Sequence, residues 1–250
     1  GIFKIIIIMY SSDIFYTKFA SLYADYATNR VKYLSAVDSF IKNELRIPLE
    51  PKSSLIDVGS GNGKRAKKIA HTFGIKDITL VDNSDGMIDL IKKIEAVKSI
   101  QANIADPDFN LDKKYDIVLC LWNVLGHIPS VDGRKIALNN LAGLVKSNGL
   151  IFFDVNNRYN RSQYGLKSVL QNILKDILAS KSSNGDFKLK FDTEKELLQT
   201  NVHIFNPFEI EHLIKSAGLK IIKRQIINYK TGEKIRSIFR GQLVYELSKI

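Results

Sequence analysis

The stretch Leu55-Ile56-Asp57-Val58-Gly59-Ser60-Gly61-Asn62-Gly63 carries the first chemical signal in this sequence. A short apolar run takes in a carboxylate and breaks into a loop of three glycines, followed by a basic, helix-prone segment. Glycine allows positive φ and lets a ligand approach the backbone closely, and a helix start leaves N–H groups free to donate. A dinucleotide pyrophosphate uses such a loop in the pattern G-x-G-x-x-G, with no anion nearby. Here the spacing is G-x-G-x-G, and Lys64 stands where the third glycine of that pattern would fall. Asp57 would repel a pyrophosphate and suits a ligand that carries an ammonium or a sulfonium.

A second acid, Asp82, ends the run Leu80-Val81-Asp82-Asn83 and lies 25 residues after Asp57. That is near the roughly 20-residue interval at which an acid meets ribose hydroxyls. A carboxylate can accept from two vicinal hydroxyls; taken alone, a strand-end aspartate is also a turn former. S-adenosylmethionine has the ammonium, the sulfonium and the ribose, and no phosphate.

Strands and helices must hold these positions, and apolar periodicity supplies them. Residues 13–45 read as helical, with Phe15, Phe19, Leu22, Tyr23, Tyr26, Val37, Phe40 and Ile41 at helical spacing, ended by Pro48 and Pro51. Strands are predicted over Leu55–Val58, Asp77–Val81, Val97–Ala102, Tyr115–Leu121 and Gly149–Val155. Helices alternate with them over Lys64–Phe73, closed by Gly74, over Asp85–Glu95 with Ser84 as N-cap, and over Arg134–Val145. This alternation predicts an α/β chain with a parallel, doubly wound sheet. Tyr115–Leu121 is the most apolar strand, as a central one buried on both faces should be. Beyond it the spacing predicts a helix over 160–180, a hairpin of Phe187–Phe191 with Leu197–Ile204, a helix over Phe208–Ala217, and strands at Ile221–Tyr229 and Gln242–Leu247.

Asp57–Gly63, Asp82-Asn83-Ser84-Asp85-Gly86-Met87 and Tyr115–Ile128, in that succession, resemble the signatures of class I (Rossmann-like) S-adenosylmethionine-dependent methyltransferases of the small-molecule type. The resemblance is good over roughly 55–155 and loose on the flanks. It implies a seven-stranded, mostly parallel sheet in the order 3-2-1-4-5-7-6, its last strand, Gln242–Leu247, antiparallel. It also implies one methyltransferase domain over 1–250: N-terminal lid helices 13–48, a cofactor-binding core 53–155, an acceptor cap inserted at 156–205, and completion of the sheet by 206–250. The implied cofactor is S-adenosylmethionine, its product S-adenosylhomocysteine, with no metal.

The same resemblance gives the residues roles. Gly59 and Gly61 would face the methionine moiety and Asp57 its ammonium end. Asp82 would bind the ribose, and Asn83 and Met87 would flank the adenine. Asn103 and Ile104 stand where the family often has Asp and a small apolar residue; the amide can still meet the adenine amino group. Leu121 and Trp122 would border the methionine part. Tyr16 and Tyr23, in the aromatic series Phe15, Tyr16, Phe19, Tyr23 and Tyr26, would reach the cofactor carboxylate or shield its sulfonium; plain amphipathic packing is the alternative. Arg30 could pair with the same carboxylate. His127 would be a catalytic base or an acceptor-positioning residue beside the transferred methyl, or else a helix-start histidine bonded to backbone. His203 would line the acceptor pocket or pack within its strand.

The acceptor stays open between a small molecule with an O or N nucleophile and an RNA. The polar run Asn156, Asn157, Arg158 and Asn160 suggests a hydroxylated or anionic small molecule. The net charge of +11, with Lys64, Arg65, Lys67 and Lys68 clustered and seven basic residues against Glu233 over 220–240, fits either a polyanion partner or scattered solvated charge. No RNA-binding module is recognisable. Cys120 alone, in an apolar run, suggests a reducing cytoplasm. Ile2–Met9, broken by Lys4, is far below the roughly 20 residues of a membrane span and lacks a signal cleavage site. The four histidines and one cysteine show no metal-ligand spacing. A monomer or a homodimer is expected.

Overall fold

A computed structural model describes residues 8–45, 49–50, 52–179, 181–193 and 197–250. Pro48, Pro51 and most of Ile2–Met9 lie outside the described residues. A two-residue strand, β1 (Ile8–Met9), precedes three helices, α1 (Ser12–Phe19), α2 (Tyr23–Thr28) and α3 (Val31–Glu44), where the aromatic spacing predicts one helical section.

The alternating segment follows as β2 (Ser54–Val58), α4 (Lys64–Thr72), β3 (Asp77–Asp82), α5 (Asp85–Ile91), β4 (Lys98–Gln101), β5 (Tyr115–Cys120), α6 (Val131–Leu144) and β6 (Val145–Val155). Two short helices come next, α7 (Arg161–Tyr164) and α8 (Leu166–Leu178); Gly165, at φ +80°, breaks the single helix expected over 160–180. The chain closes with β7 (Asp186–Asp192), β8 (Leu197–His203), α9 (Pro207–Ser216), β9 (Leu219–Ile227), β10 (Lys234–Ile235) and β11 (Gln242–Lys249).

The main sheet runs β10-β9-β11-β6-β5-β2-β3-β4, with the five strands from β6 to β4 parallel and β11 antiparallel to both neighbours. This is the expected order with one strand added. The turn after β9 makes the addition: Asn228 Oδ1 accepts from Lys230 N (2.9 Å) and Thr231 N (3.1 Å), and the returning chain pairs Lys234 with Ile227. A second sheet, β1-β8-β7, lies apart, with β1 parallel to β8.

The core sits on both faces of the main sheet. In β5, Ile117 and Leu119 pack with α3 and α4, while Val118 and Cys120 pack with α6 and α9. That two-sided burial explains the run's lack of alternation; burial also pushes the Cys120 thiol well up. Helix α1 docks against α5 at Gly86, where a Cβ would meet the Thr17 carbonyl at 2.8 Å, so only glycine admits the contact.

A buried polar network fastens the segment between β6 and β9. Arg158 Nε and Nη2 donate to Asp176 of α8 (2.9 and 3.0 Å), and Nη1 to Glu209 of α9 (2.6 Å) and the Ile204 carbonyl (2.8 Å). His203 sits between Asp186 (2.6 Å) and Glu209 (2.8 Å), and Tyr159 donates to Asp176 (2.8 Å). The polar run expected to meet an acceptor is therefore mostly structural. Asn157 donates to the Ile238 and Gly241 carbonyls, and only Asn156 of that run lines the central cavity. His203 likewise belongs to this network and does not line the cavity.

Candidate active site

In an open parallel sheet a crevice forms where neighbouring strands send their chains to opposite sides. β2 is such a strand, flanked by β3 and β5. The loops after β2, β3, β4 and β5 converge there and form one side of a cavity; α1, α2 and β7 form the other.

The loop after β2 is held tightly. Gly59 N and Ser60 N donate to the Val81 carbonyl (2.8 and 3.0 Å), and Gly59, Gly61 and Gly63 all take positive φ. A Cβ on Gly59 would lie 2.5 Å from Val124 Cγ2, and one on Gly61 would lie 2.5 Å from Tyr23 Oη. The missing side chains thus bring Val124 and Tyr23 onto the loop. Asp82 Oδ2 accepts from Gly61 N (2.9 Å) and Oδ1 from Ser84 N (3.0 Å), so one carboxylate joins the two loops. Burial raises Asp82 to about 6, against the backbone donors that lower it.

Of the expected cofactor residues, Tyr16, Tyr23, Gly59, Gly61, Asp82, Asn83, Met87, Asn103, Ile104, Leu121 and Trp122 all line this cavity, and so does His127. Asp57 does not; it lies buried beneath the glycine loop, with Oδ1 lacking any hydrogen-bond partner. Burial, opposed by the nearby Arg65 and helped by Asp82, raises Asp57 to about 7. Arg65 is engaged by Asp38 at 2.7 Å. Arg30 stacks its guanidinium on Tyr26 and Tyr229, 5.4 and 5.3 Å from their centroids.

After β5 the chain holds two consecutive non-glycine residues in the left-handed region, Trp122 (φ 68°) and Asn123 (φ 62°). Such positions persist only where neighbours fix them. Asp154, one residue before the end of β6, does so: Oδ1 accepts from Trp122 N (2.5 Å), Oδ2 from the Tyr33 hydroxyl (2.6 Å), and its carbonyl from Asn123 N (3.2 Å). Sequence reasoning missed Asp154, although Phe152-Phe153-Asp154 repeats the pattern that exposed Asp57 and Asp82, an acid at the end of an apolar strand.

The opposite wall is aromatic. Tyr26 stacks on Trp122 (5.6 Å, 18°), Tyr23 meets it edge-on (5.6 Å), and Phe19 packs on Phe191 at 4.5 Å. Phe187, Phe191 and Tyr229 were not singled out by the sequence; their place depends on how the hairpin folds back. His127 ends a single 3-10 turn, Val124–His127, with Nε2 3.0 Å from the Tyr16 hydroxyl and Nδ1 buried without a partner. Burial lowers His127 to about 4, so the ring is neutral near pH 7.

These features fit an adenosyl sulfonium. Asp82 lines the cavity with lone pairs to spare, Asp57 keeps an unsatisfied oxygen behind the loop, and aromatic side chains able to attract a cation line the same cavity. Among the described residues no cluster of His, Cys, Asp or Glu could hold a metal ion.

The sheet order and the loops gathered at its crevice define a Rossmann-like S-adenosylmethionine-dependent methyltransferase. A sequence profile described as a methyltransferase domain matches residues 28–224, and the chain belongs to that family. Curated proteins give no match. Among solved structures, the chain is similar to an S-adenosylmethionine-dependent methyltransferase from Clostridium acetobutylicum ATCC 824 (15% identity, 94% of this chain and 98% of that one, TM-score 0.62). It is similar to the protein of a DhpI-SAM-HEP complex (16%, 95% and 95%, 0.64). It also resembles a Thermotoga maritima protein described as a possible histamine N-methyltransferase (14%, 95% and 99%, 0.60). At these identities the likeness is one of fold.

Proposed function

We propose that the chain transfers the methyl group of S-adenosylmethionine to an O or N nucleophile of a small molecule held between the strand-end loops and the aromatic wall. The carrying observation is that one cavity joins the expected cofactor residues other than Asp57 to Phe19, Tyr26 and Phe191, which leaves the acceptor a ring-lined place. The cofactor supplies an already activated methyl group. The chain's residues then orient and exclude water: Asp82 holds the ribose, Asp57 favours the ammonium end, and Trp122 and Tyr23 border the methionine chain. His127 and Tyr16 meet the acceptor. The RNA reading rests on the basic segment 220–240, where Lys223 is already paired with Glu44 and Arg224 with Glu211. The single buried cysteine is in keeping with a cytoplasmic setting.

Titration calorimetry tests the cofactor assignment. S-adenosylmethionine and S-adenosylhomocysteine should bind and NAD should not; binding of the dinucleotide instead would overturn it. Affinity for S-adenosylmethionine should also rise from pH 5.5 to about 7.5, below the range of roughly 7.7–8.0 where the ligand's own α-ammonium loses its proton. Asp57 is half protonated near pH 7 in the free protein, and a cationic ligand must displace that proton, an effect limited to about tenfold per pH unit for one group. Asp57→Asn should flatten the profile above pH 6.5. A wild-type profile already flat there would remove Asp57 from the ammonium site.

A further inference from the structure

We propose that the acceptor is an amine, methylated on nitrogen in its uncharged form, and that the aromatic wall holds the positive charge of the reaction on either side of the transfer. The inference rests on the methyltransferase reading above and deepens it.

Three observations converge on it. The first is charge. Among the described residues lining the cavity there is no lysine or arginine, and the only carboxylate is Asp82, on the ribose side. This holds in a chain of net charge +11. The cofactor already brings one carboxylate into this space, and a second anion on the acceptor would be buried beside it without a cationic partner, a costly arrangement. Arg30, stacked on Tyr26 and Tyr229, does not line the cavity.

The second is the wall itself. Phe19, Tyr23, Tyr26, Trp122, Phe191 and Tyr229 surround the space beyond the strand ends. Ring faces attract cations, and most strongly where water is excluded. Methyl transfer to a neutral amine keeps one cation in that space throughout: the nitrogen lone pair forms the N–C bond as the C–S bond breaks, and the positive charge passes from sulfur to nitrogen. The product leaves as a methylated ammonium, and its N–H proton is lost to solvent afterwards. No proton needs to be taken by the protein during the transfer.

The third is the only histidine among the described residues that line the cavity. His127 is bonded through Nε2 to Tyr16, and its Nδ1 is buried without a partner. With the proton on Nε2, the Nδ1 lone pair has no exposed surface to offer, so the ring takes no proton from an acceptor. As a base it is poor, because burial has lowered it to about 4. An alcohol, with acidity near the ~15.7 of bulk water, would gain little from such a base; a neutral amine needs none.

The test uses the full chain saturated with S-adenosylhomocysteine, so that the product-side charge is supplied by a probe. Saturation is established first by calorimetry; failure at that step counts against the methyltransferase reading and not against this one. Phenyltrimethylammonium and benzenesulfonate, matched in size and opposite in charge, are then titrated at equal salt. The cation should bind at least about tenfold more tightly, against the pull of the protein's overall positive charge. Phe191→Leu, which keeps an apolar surface but removes a ring face, should weaken the cation several-fold and leave the anion unchanged. Equal binding, tighter binding of the anion, or no binding of the cation in the millimolar range would each overturn the proposal.

Discussion

Asp82→Ala should weaken S-adenosylmethionine and S-adenosylhomocysteine binding by roughly a hundredfold to ten-thousandfold. Hydrogen bonds to a charged group contribute about 1.5–3 kcal/mol each, and the two ribose hydroxyls would lose such an acceptor together. The change also strips Gly61 N and Ser84 N of their partner, so the glycine loop loses its tie to the neighbouring strand end. Asp82→Asn separates the two effects. It keeps the shape and one acceptor oxygen but turns an amide toward a backbone N–H, so affinity should fall by an intermediate amount while the melting temperature changes less than in Asp82→Ala. Calorimetry and thermal unfolding on both variants decide the matter. Affinity within about fivefold of the parent in Asp82→Ala would remove this residue from the ribose site.

Arg158→Ala should cost about 3–5 kcal/mol of folding stability, the range for breaking a buried ion pair by deleting one partner. Asp176 and Glu209 would be left as half-buried carboxylates without their guanidinium, and the Ile204 carbonyl would lose a donor. Hydrogen bonding to Arg158 is one reason that Asp176 is held down at about 2, against the effect of burial. Without that partner it should titrate higher, so the stability that the depressed carboxyl gives the parent above about pH 4, and that is lost as pH falls toward about 2, should be smaller in the variant. Hydrogen exchange should show protection lost first in α8 and in the β7–β8 hairpin. Cofactor affinity should hold, since none of these side chains lines the cavity. A parallel loss of both would mean that the network and the cavity are one cooperative unit.

The floor of the site was legible because its signals are local. Each acid closes a short apolar strand, each glycine sits where the backbone takes positive φ, and the spacing between Asp57 and Asp82 spans one strand–helix–strand unit. The roof was only half legible. The spacing of Phe15, Phe19, Tyr23 and Tyr26 marked a helical aromatic face, yet it said nothing of Phe191, which meets Phe19 only because the hairpin carrying it folds across 172 positions. The polar run Asn156–Asn160 misled for the same reason. Its partners, Asp176, Glu209 and Gln242, lie far along the chain, and composition alone cannot separate a ligand contact from an internal clamp. The added edge strand β10 was missed because two residues leave no periodicity to read; the Asn228 turn ahead of it was the available sign.

The small sheet in which Ile8 and Met9 lie beside Leu198 and Gln199 has a consequence for how the protein is made. On the ribosome, every strand end that forms the floor is available once Val155 has emerged, and all five parallel strands can by then be paired. β1 must wait for roughly forty more residues before its partner exists. A strand made before the floor is thus among the last to find its place, and the cavity acquires its hairpin cover only after its base has been built.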